Sequence, residues 1–485
     1  MYKYLLGFVF LLFPTIGHSQ FLNEIDYQIE TGITFSGGKN TPLWLTANKH
    51  GLGSIEKNNG YLMAGVFRPI EKDKVFSYAL GLELVGAYNY PASFMVRQAY
   101  VDLKYSFLGL SIGSKTRNGE FKNQELSSGG LTFSGNSLPI PQVRVGIPDY
   151  WAIPGTKKWL SVKGYIAYGI FTDGRWQEDF TGKKSNYVKK ALFHGKAIYF
   201  KIGDGKFPLI LEGGLTMPAR FSGDFYRYDK NKKNVVLTKI PHRLKDFWDI
   251  LIPAKGDTET LGMDQANILG DMLGSWNFSL SYQLKEWKLR AYFEHQYNDH
   301  SQLFMEYGWK DGLWGGEVTF PKNPYISGLV YEYLYSKDQT GPVYHDSDKL
   351  VPDQISGSDD YYNHGVYSGW QHWGMAIGNP LFVSPIYNEN GSLYFRSNRM
   401  IAHHIGFTGN PTDEWKYRIL FSHARHWGTY SNPLPDVKYN MNGLAEVTYL
   451  PAQLKHWSFA LSFAADKSDY IGNSVGGMLT VRFTK

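Results

Sequence analysis

The chain has 485 residues, 50 Lys and Arg against 44 Asp and Glu for a formal charge of +6, 16% aromatic residues and no Cys. The positive excess is spread without a basic block, so nucleic acid is not an expected partner. Without cysteine there is no disulfide framework, no thiol chemistry and no cysteine-linked lipid anchor, which suits passage through an oxidising periplasm.

Lys3, the apolar run from Leu5 to Phe13, and the small residues before Gln20 have the layout of a secretory signal. Cleavage is expected between Ser19 and Gln20, leaving residues 20–485 as one domain. The apolar run is shorter than the ~20 residues of a membrane-spanning helix, and no later segment is continuously apolar for that length. Any membrane crossing must use strands.

Strand signals begin almost at once. Ile25, Tyr27, Ile29, Ile33 and Phe35 alternate with Glu24, Asp26, Gln28 and Thr34, which leaves no room for a separate amino-terminal domain. Ala99, Val101, Leu103 and Tyr105 oppose Gln98, Tyr100, Asp102 and Lys104, and Leu108, Leu110 and Ile112 follow a short turn. The weakest strand signal lies near Gln142 to Ile147. Leu160, Val162, Ile166, Tyr168 and Ile170 form another apolar face. Leu244, Phe247, Trp248 and Leu251 fall at helical spacing and predict a short helix packed on a loop or the barrel mouth.

The clearest hairpin is Trp276 to Gln296. Trp276, Phe278, Leu280, Tyr282 and Leu284 alternate with Asn277, Ser279, Ser281 and Gln283; after Lys285-Glu286, Trp287, Leu289, Ala291 and Phe293 alternate with Lys288, Arg290, Tyr292 and Glu294. A strand of about nine residues rises roughly 30 Å, and tilted by about 40° it crosses most of the ~25 Å apolar band of an outer membrane. A soluble sandwich has the same period. Trp placement decides between them: Trp159, Trp287, Trp415 and Trp457 each follow a polar pair at a strand start, the position of an interfacial girdle. Lys288, Arg290 and Glu294 must then face the lumen, since a cation against lipid at mid-depth costs ~2–4 kcal/mol. Near the end, Trp457, Phe459, Leu461 and Phe463 oppose Ser458, Ala460, Ser462 and Ala464. The last strand turns Leu479, Val481 and Phe483 outward and Thr480 and Arg482 inward, with Lys485 where a terminal aromatic is usual.

The expected fold is all-β, a transmembrane antiparallel up-and-down barrel of about 18 strands. Short connections belong on the periplasmic side and long ones outside, so function is expected in the long connections Ser114–Thr156, Met217–Gly274, Tyr297–Leu313 and Ser336–Met400. The location expected is the outer membrane of a Gram-negative bacterium, with the loops facing the exterior.

One of these connections concentrates rings beside hydrogen-bonding groups: Tyr344-His345, Tyr361-Tyr362 with His364, and Trp370-Gln371-His372-Trp373. Sugars present apolar C–H faces and outward hydroxyls, so a site for them needs flat rings beside amides, acids or imidazoles. Asp299, His300 and Trp309 form a second such cluster. The alternative is that the rings pack the loop against itself and plug the barrel mouth. Metal binding is not expected: His403 and His404 are adjacent on a strand and point to opposite faces, and no HExxH set occurs. A hydrolase lacks support too, with no GxSxG elbow and no way to place two carboxylates at a cleaving separation. The chain is therefore read as non-enzymatic and free of cofactors, with a surface glycosidase as the third reading.

Several strings resemble the Wzi-type capsule-assembly family of outer-membrane proteins. They are Thr41-Pro42-Leu43-Trp44-Leu45-Thr46-Ala47-Asn48, Gly129-Gly130-Leu131-Thr132-Phe133-Ser134-Gly135-Asn136 with Pro139-Ile140-Pro141-Gln142, Gly369-Trp370-Gln371-His372-Trp373-Gly374, and His426-Trp427-Gly428-Thr429-Tyr430. The resemblance implies an 18-stranded monomeric barrel acting as a surface lectin for exported capsular polysaccharide, without catalysis. It also implies a helical bundle closing the periplasmic end, for which this chain has no segment ahead of its first strand. Loops such as Ser114–Thr156 are then expected to close the lumen, or the barrel conducts. The leading expectation is a lectin for capsular or exopolysaccharide, with outer-membrane lipid around it; the alternative is an oligosaccharide channel.

Overall fold

A computed structural model describes residues 24–229, 231, 233–240, 242–252, 269–298, 309–343, 345, 348–353 and 357–485. The expected signal, residues 1–19, lies outside the described residues. Eighteen antiparallel staves close into one barrel. In chain order the first nine are Asp26–Gly38, Asn58–Arg68, Phe76–Tyr88, Phe94–Tyr105, Leu108–Ser114, Gln142–Ala152, Leu160–Ile170, Leu192–Ile202 and Leu209–Thr216. The others are Asp271–Leu284, Trp287–Asn298, Gly312–Thr319, Gly328–Tyr335, Met400–Gly409, Trp415–Gly428, Pro433–Tyr449, Trp457–Ser468 and Ser474–Thr484. The ninth resumes at Ala219–Phe221, and both of its parts pair with Leu192–Ile202 and Asp271–Leu284. Pro218 sits at the break, where a residue without an amide hydrogen cannot extend the ladder. The last stave pairs with the first from Gln28–Thr484 to Gly38–Ser474, so the sheet has no free edge.

The weakly signalled strand is real and longer than expected, running Gln142–Ala152. A register shift between Ile147 and Trp151 hides it by breaking the two-residue period. The connection expected over Ser114–Thr156 therefore ends at Gln142. Two further long connections on the same rim, 39–57 and 171–191, were not anticipated; the second carries a short helix, Gly174–Thr181, whose only aromatic spacing is Trp176 with Phe180.

Alternation sorts the wall as the hairpin predicted. Leu280 is 42% exposed on the outside while Ser279 and Ser281 beside it are 4% and 7% exposed toward the lumen. Trp159, Trp287, Trp415 and Trp457 are all exposed, and all stand at the short-turn end, forming one ring level. Of the inward residues predicted, Arg290 is ion-paired with Glu317, and Glu294 is buried and paired with Lys122 at 2.9 Å. Adjacent staves pair charges along the lumenal wall elsewhere: Arg97 with Glu83 at 2.7 Å, Arg418 with Glu446 at 3.0 Å, and Arg482 with Glu30.

The predicted helix is present as Leu244–Leu251, but it lies on the outer wall near the long-loop rim. Phe247 and Ile250 pack there with Met217, Phe221, Met272, Trp276 and Tyr297, and Tyr168 donates its hydroxyl to Phe247 O at 2.7 Å. Lys196, on the outer face of its stave, reaches Ile250 O at 2.9 Å. The stripe read from the sequence divides: Phe247 turns to the barrel, while Leu244 and Trp248 face away from it at 85% and 65% exposure.

Candidate functional site

The lumen is filled by chain. Three connections, 39–57, 115–141 and part of 336–399, fold inward from the long-loop rim and share one buried core containing Trp44, Leu126, Leu131, Tyr362, Trp370, Phe382 and Phe395. Their backbone polar groups, which a lumen without water would leave unpaired, are met by inward-facing wall residues. Glu332, fully buried, accepts from Ser127 Oγ at 2.5 Å, Ser128 N at 2.8 Å, Ser128 Oγ at 2.5 Å and Tyr292 OH at 2.6 Å. Glu294 accepts from Thr132 N at 3.0 Å and Ser275 Oγ at 3.1 Å. His404 Nε2 lies 2.8 Å from Leu126 O, and Asp466 accepts from Leu43 N at 2.8 Å. His403, the next residue, points out of the barrel to Tyr331 OH at 2.8 Å, as adjacent positions on a strand must.

The aromatic run from Tyr361 to Trp373 belongs largely to this plug. Tyr361, Tyr362, Trp370, Gln371 and His372 are each no more than 2% exposed. Trp370 Nε1 donates to Thr132 O at 2.9 Å, Tyr362 OH donates to Leu131 O, and Gln371 Oε1 accepts from Gly374 N at 2.7 Å. His372 bridges Leu138 O at 2.9 Å and Thr172 Oγ1 at 3.1 Å, and burial holds its imidazole below the ordinary range, hence neutral. These five side chains stack and bond with protein, so none offers an open face to a sugar in this arrangement. Trp373 is half-buried, with φ of 55° and its amide on Asp173 Oδ2 at 3.1 Å. His364 is half-buried, its Nδ1 accepting from Val366 N at 3.1 Å. His345 is half-buried near Asp348 at 3.9 Å, and Trp309 is exposed. Tyr344, Asp299 and His300 lie outside the described residues.

The strings that carried the family resemblance meet in the plug. Asn48 donates to Ser128 O at 2.9 Å, Asn136 donates to Ala376 O at 3.0 Å, and Ser134 Oγ donates to Gly378 O at 2.7 Å. His426 is fully buried beside Asn440 at 3.1 Å.

Beneath the plug a cavity of about 750 Å³ reaches the short-turn end, where Ile70, Lys72 and Asp149 line it. Its roof is Thr132, Phe133, Ser134 and Ile377, and its walls carry Asp102, Lys104, Ser111, Lys115, Arg117, Glu120 and Arg144. Glycines at 109 and 146 face each other across neighbouring staves of this wall, where a side chain would press on Pro148 or on the Gly164 carbonyl. Sequence reading missed this site, because its charges come from different staves and one loop.

No family model matches the chain, and no curated protein matches it. Among solved structures the chain is similar to the Escherichia coli protein described as Wzi, an outer-membrane protein involved in group 1 capsule assembly and a carbohydrate-binding β-barrel. The identity is 12%, covering 96% of this chain and 86% of that one, with a TM-score of 0.54. OccAB4 of Acinetobacter baumannii and OccK5 (OpdH) of Pseudomonas aeruginosa are each 9% identical, cover 95% of this chain and 98% of theirs, and give TM-scores of 0.47 and 0.46. At such identity the likeness concerns the fold alone, a closed antiparallel β-barrel like that of the Wzi structure.

Proposed function

We propose that this barrel is a non-enzymatic, monomeric surface protein that binds capsular or exopolysaccharide with its long-loop face turned to the cell exterior. The observation that carries the reading is the plug. A lumen packed by loops that are hydrogen-bonded to buried wall carboxylates is built to hold a loop surface rigid rather than to pass solute. The name of the Wzi structure, a carbohydrate-binding barrel of capsule assembly, supports the same reading. Trp309, His345, His364 and Trp373 are the candidate contact residues with accessible atoms. Tyr361, Tyr362, Trp370, Gln371 and His372 serve from beneath by fixing the shape of that face. Tyr344, Asp299 and His300 remain candidates by their place in the long connections.

Retention of refolded protein on immobilised capsular polymer, with release by the free polymer, is the expected result. A deletion strain that keeps all its polymer cell-associated would overturn the proposal.

A second reading, an oligosaccharide channel, is favoured by the polar cavity below the plug. Steps of conductance from the purified protein in a planar bilayer would support it, and an electrically silent bilayer holding folded protein would dismiss it.

A further inference from the structure

Two guanidinium groups, those of Arg117 and Arg144, line the lumenal cavity together with the carboxylate of Asp102. Arg144 and Asp102 stand directly across from Ser111 on its two neighbouring staves, and Arg117 donates to Ser111 Oγ at 2.8 Å. Arg117 also donates to Lys115 O at 3.2 Å, and Arg144 lies flat on the Tyr165 ring, its guanidinium carbon 3.3 Å from the centroid.

Three acids nearby each have a lysine partner, and Asp102 keeps one buried carboxylate oxygen without a hydrogen-bond donor. Asp102 is ion-paired with Lys115, Glu120 with Lys163 at 2.6 Å, and Glu294 with Lys122 at 2.9 Å. Among the described residues neither Arg117 nor Arg144 has an ion-pair partner. Burial first, and then the charge of Arg144, pull Arg117 down to about 10 against the opposing charge of Asp102, so Arg117 stays cationic at neutral pH and is repelled by Arg144. Placing like charges side by side in a half-buried cavity is costly unless an anion joins them. Guanidinium groups suit a carboxylate because their planar donors form paired hydrogen bonds.

We infer that the cavity is a binding site for an acidic saccharide, whose carboxylate is held between Arg117 and Arg144 and which enters from the short-turn end. The space, about 750 Å³, lies within the ~300–1,000 Å³ of small-ligand pockets and has room for two sugar rings. Gln142, Asn118 and Ser137 line it with amide and hydroxyl groups for sugar hydroxyls. The saccharide part of the inference rests on the polysaccharide reading above, while the anion part rests on the two arginines alone.

Calorimetric titration of the full-length, refolded protein with digalacturonate, succinate and maltotriose tests it. Digalacturonate is expected to bind, more weakly as salt rises; maltotriose should not bind, and succinate should bind at least tenfold more weakly than digalacturonate. Arg117→Gln and Arg144→Gln should each lower digalacturonate affinity at least tenfold. Arg144→Lys, which keeps the charge but not the paired donors, should give an intermediate loss. Heat-dependent gel mobility reports that each variant has folded. Equal binding by wild type and both Gln variants would overturn the site, and so would digalacturonate failing to bind. Succinate binding as tightly as digalacturonate would overturn its saccharide character. Retention on immobilised capsular polymer, measured on the same preparations, separates the two ideas: polymer retained without digalacturonate binding defeats only this inference, and loss of both defeats the surface reading as well.

Discussion

Glu332→Ala should loosen the plug while leaving the barrel closed. The carboxylate is fully buried and accepts four hydrogen bonds, three of them from Ser127 and Ser128 in the plug and one from Tyr292 on the wall. A net value of about 1 kcal/mol per bond, the ordinary value for a neutral pair and so a lower bound for a charged acceptor, gives about 4 kcal/mol for the set. Because 1.4 kcal/mol is tenfold, local opening around Ser127 and Ser128 should become about 10³-fold more populated. The staves on either side keep their ladders, since Glu332 takes part in them only through its backbone. Hydrogen exchange read by mass spectrometry on detergent-folded protein is the assay, comparing peptides over residues 123–136 with peptides over Trp457–Ser468. Faster exchange confined to the plug is expected, with gating noise in a planar bilayer. Unchanged exchange over 123–136, or equal acceleration in the staves, would refute the assignment of Glu332 as a pin.

Three further outcomes follow from particular residues. Asp311, fully buried at the rim, accepts from Gln339 N at 2.5 Å and Tyr361 OH at 3.3 Å, and desolvation raises its carboxyl to about 7. A folded-state value above the unfolded one means the folded rim holds the proton more tightly, so its stability is greatest near pH 4, falls as pH rises to about 7, and is flat above. Asp311→Asn should remove that slope in exchange rates over residues 336–343; a slope that persists points to another group. Leu280→Lys places a cation on the outer wall about 10 Å in from the Trp287 level, taking ~3.3 Å per residue and ~40° tilt. A loss of ~2–4 kcal/mol in reversible folding into vesicles is expected, and a loss below about 0.5 kcal/mol would mean that this face does not meet hydrocarbon. Tyr168, under the Leu244–Leu251 helix, stands about 23 Å above the Trp159 level on the same rise and tilt, which puts the helix at the far edge of the apolar band. A fluorophore on Trp248→Cys, the single thiol of a cysteine-free chain, should be quenched by spin-labelled lipid near the headgroups; quenching by aqueous iodide alone would place the helix in solvent.

The barrel was legible because each stave residue meets one of two solvents, hydrocarbon or lumen, and the chain switches between them every second position. Phe278, Leu280 and Tyr282 against Asn277, Ser279 and Ser281 declare that difference locally. The plug has no such period, since its contacts join residues such as Thr132 and Trp370 that no local pattern relates. Composition misdirects there for a physical reason. A sugar surface needs rings beside hydrogen-bonding groups, and so does a loop that must bury its rings inside a polar-walled lumen. Trp370 and Tyr362 satisfy the second demand with carbonyl partners at Thr132 and Leu131. The Arg117 and Arg144 pair was hidden because one comes from an aperiodic loop and the other from a stave, and only the closed sheet brings them to one cavity.

The wall partners of the plug come late in the chain. Ser128 waits for Glu332, 204 residues further on; Leu126 waits for His404, 278 residues on; Leu43 waits for Asp466, 423 residues on. During synthesis and export these segments therefore have nothing to dock against until most of the sheet exists, and their Ser, Asn and Gly content keeps them hydrated meanwhile. Filling the interior therefore waits on the later staves, the last of them next to the seam that Asp26–Gly38 makes with Ser474–Thr484.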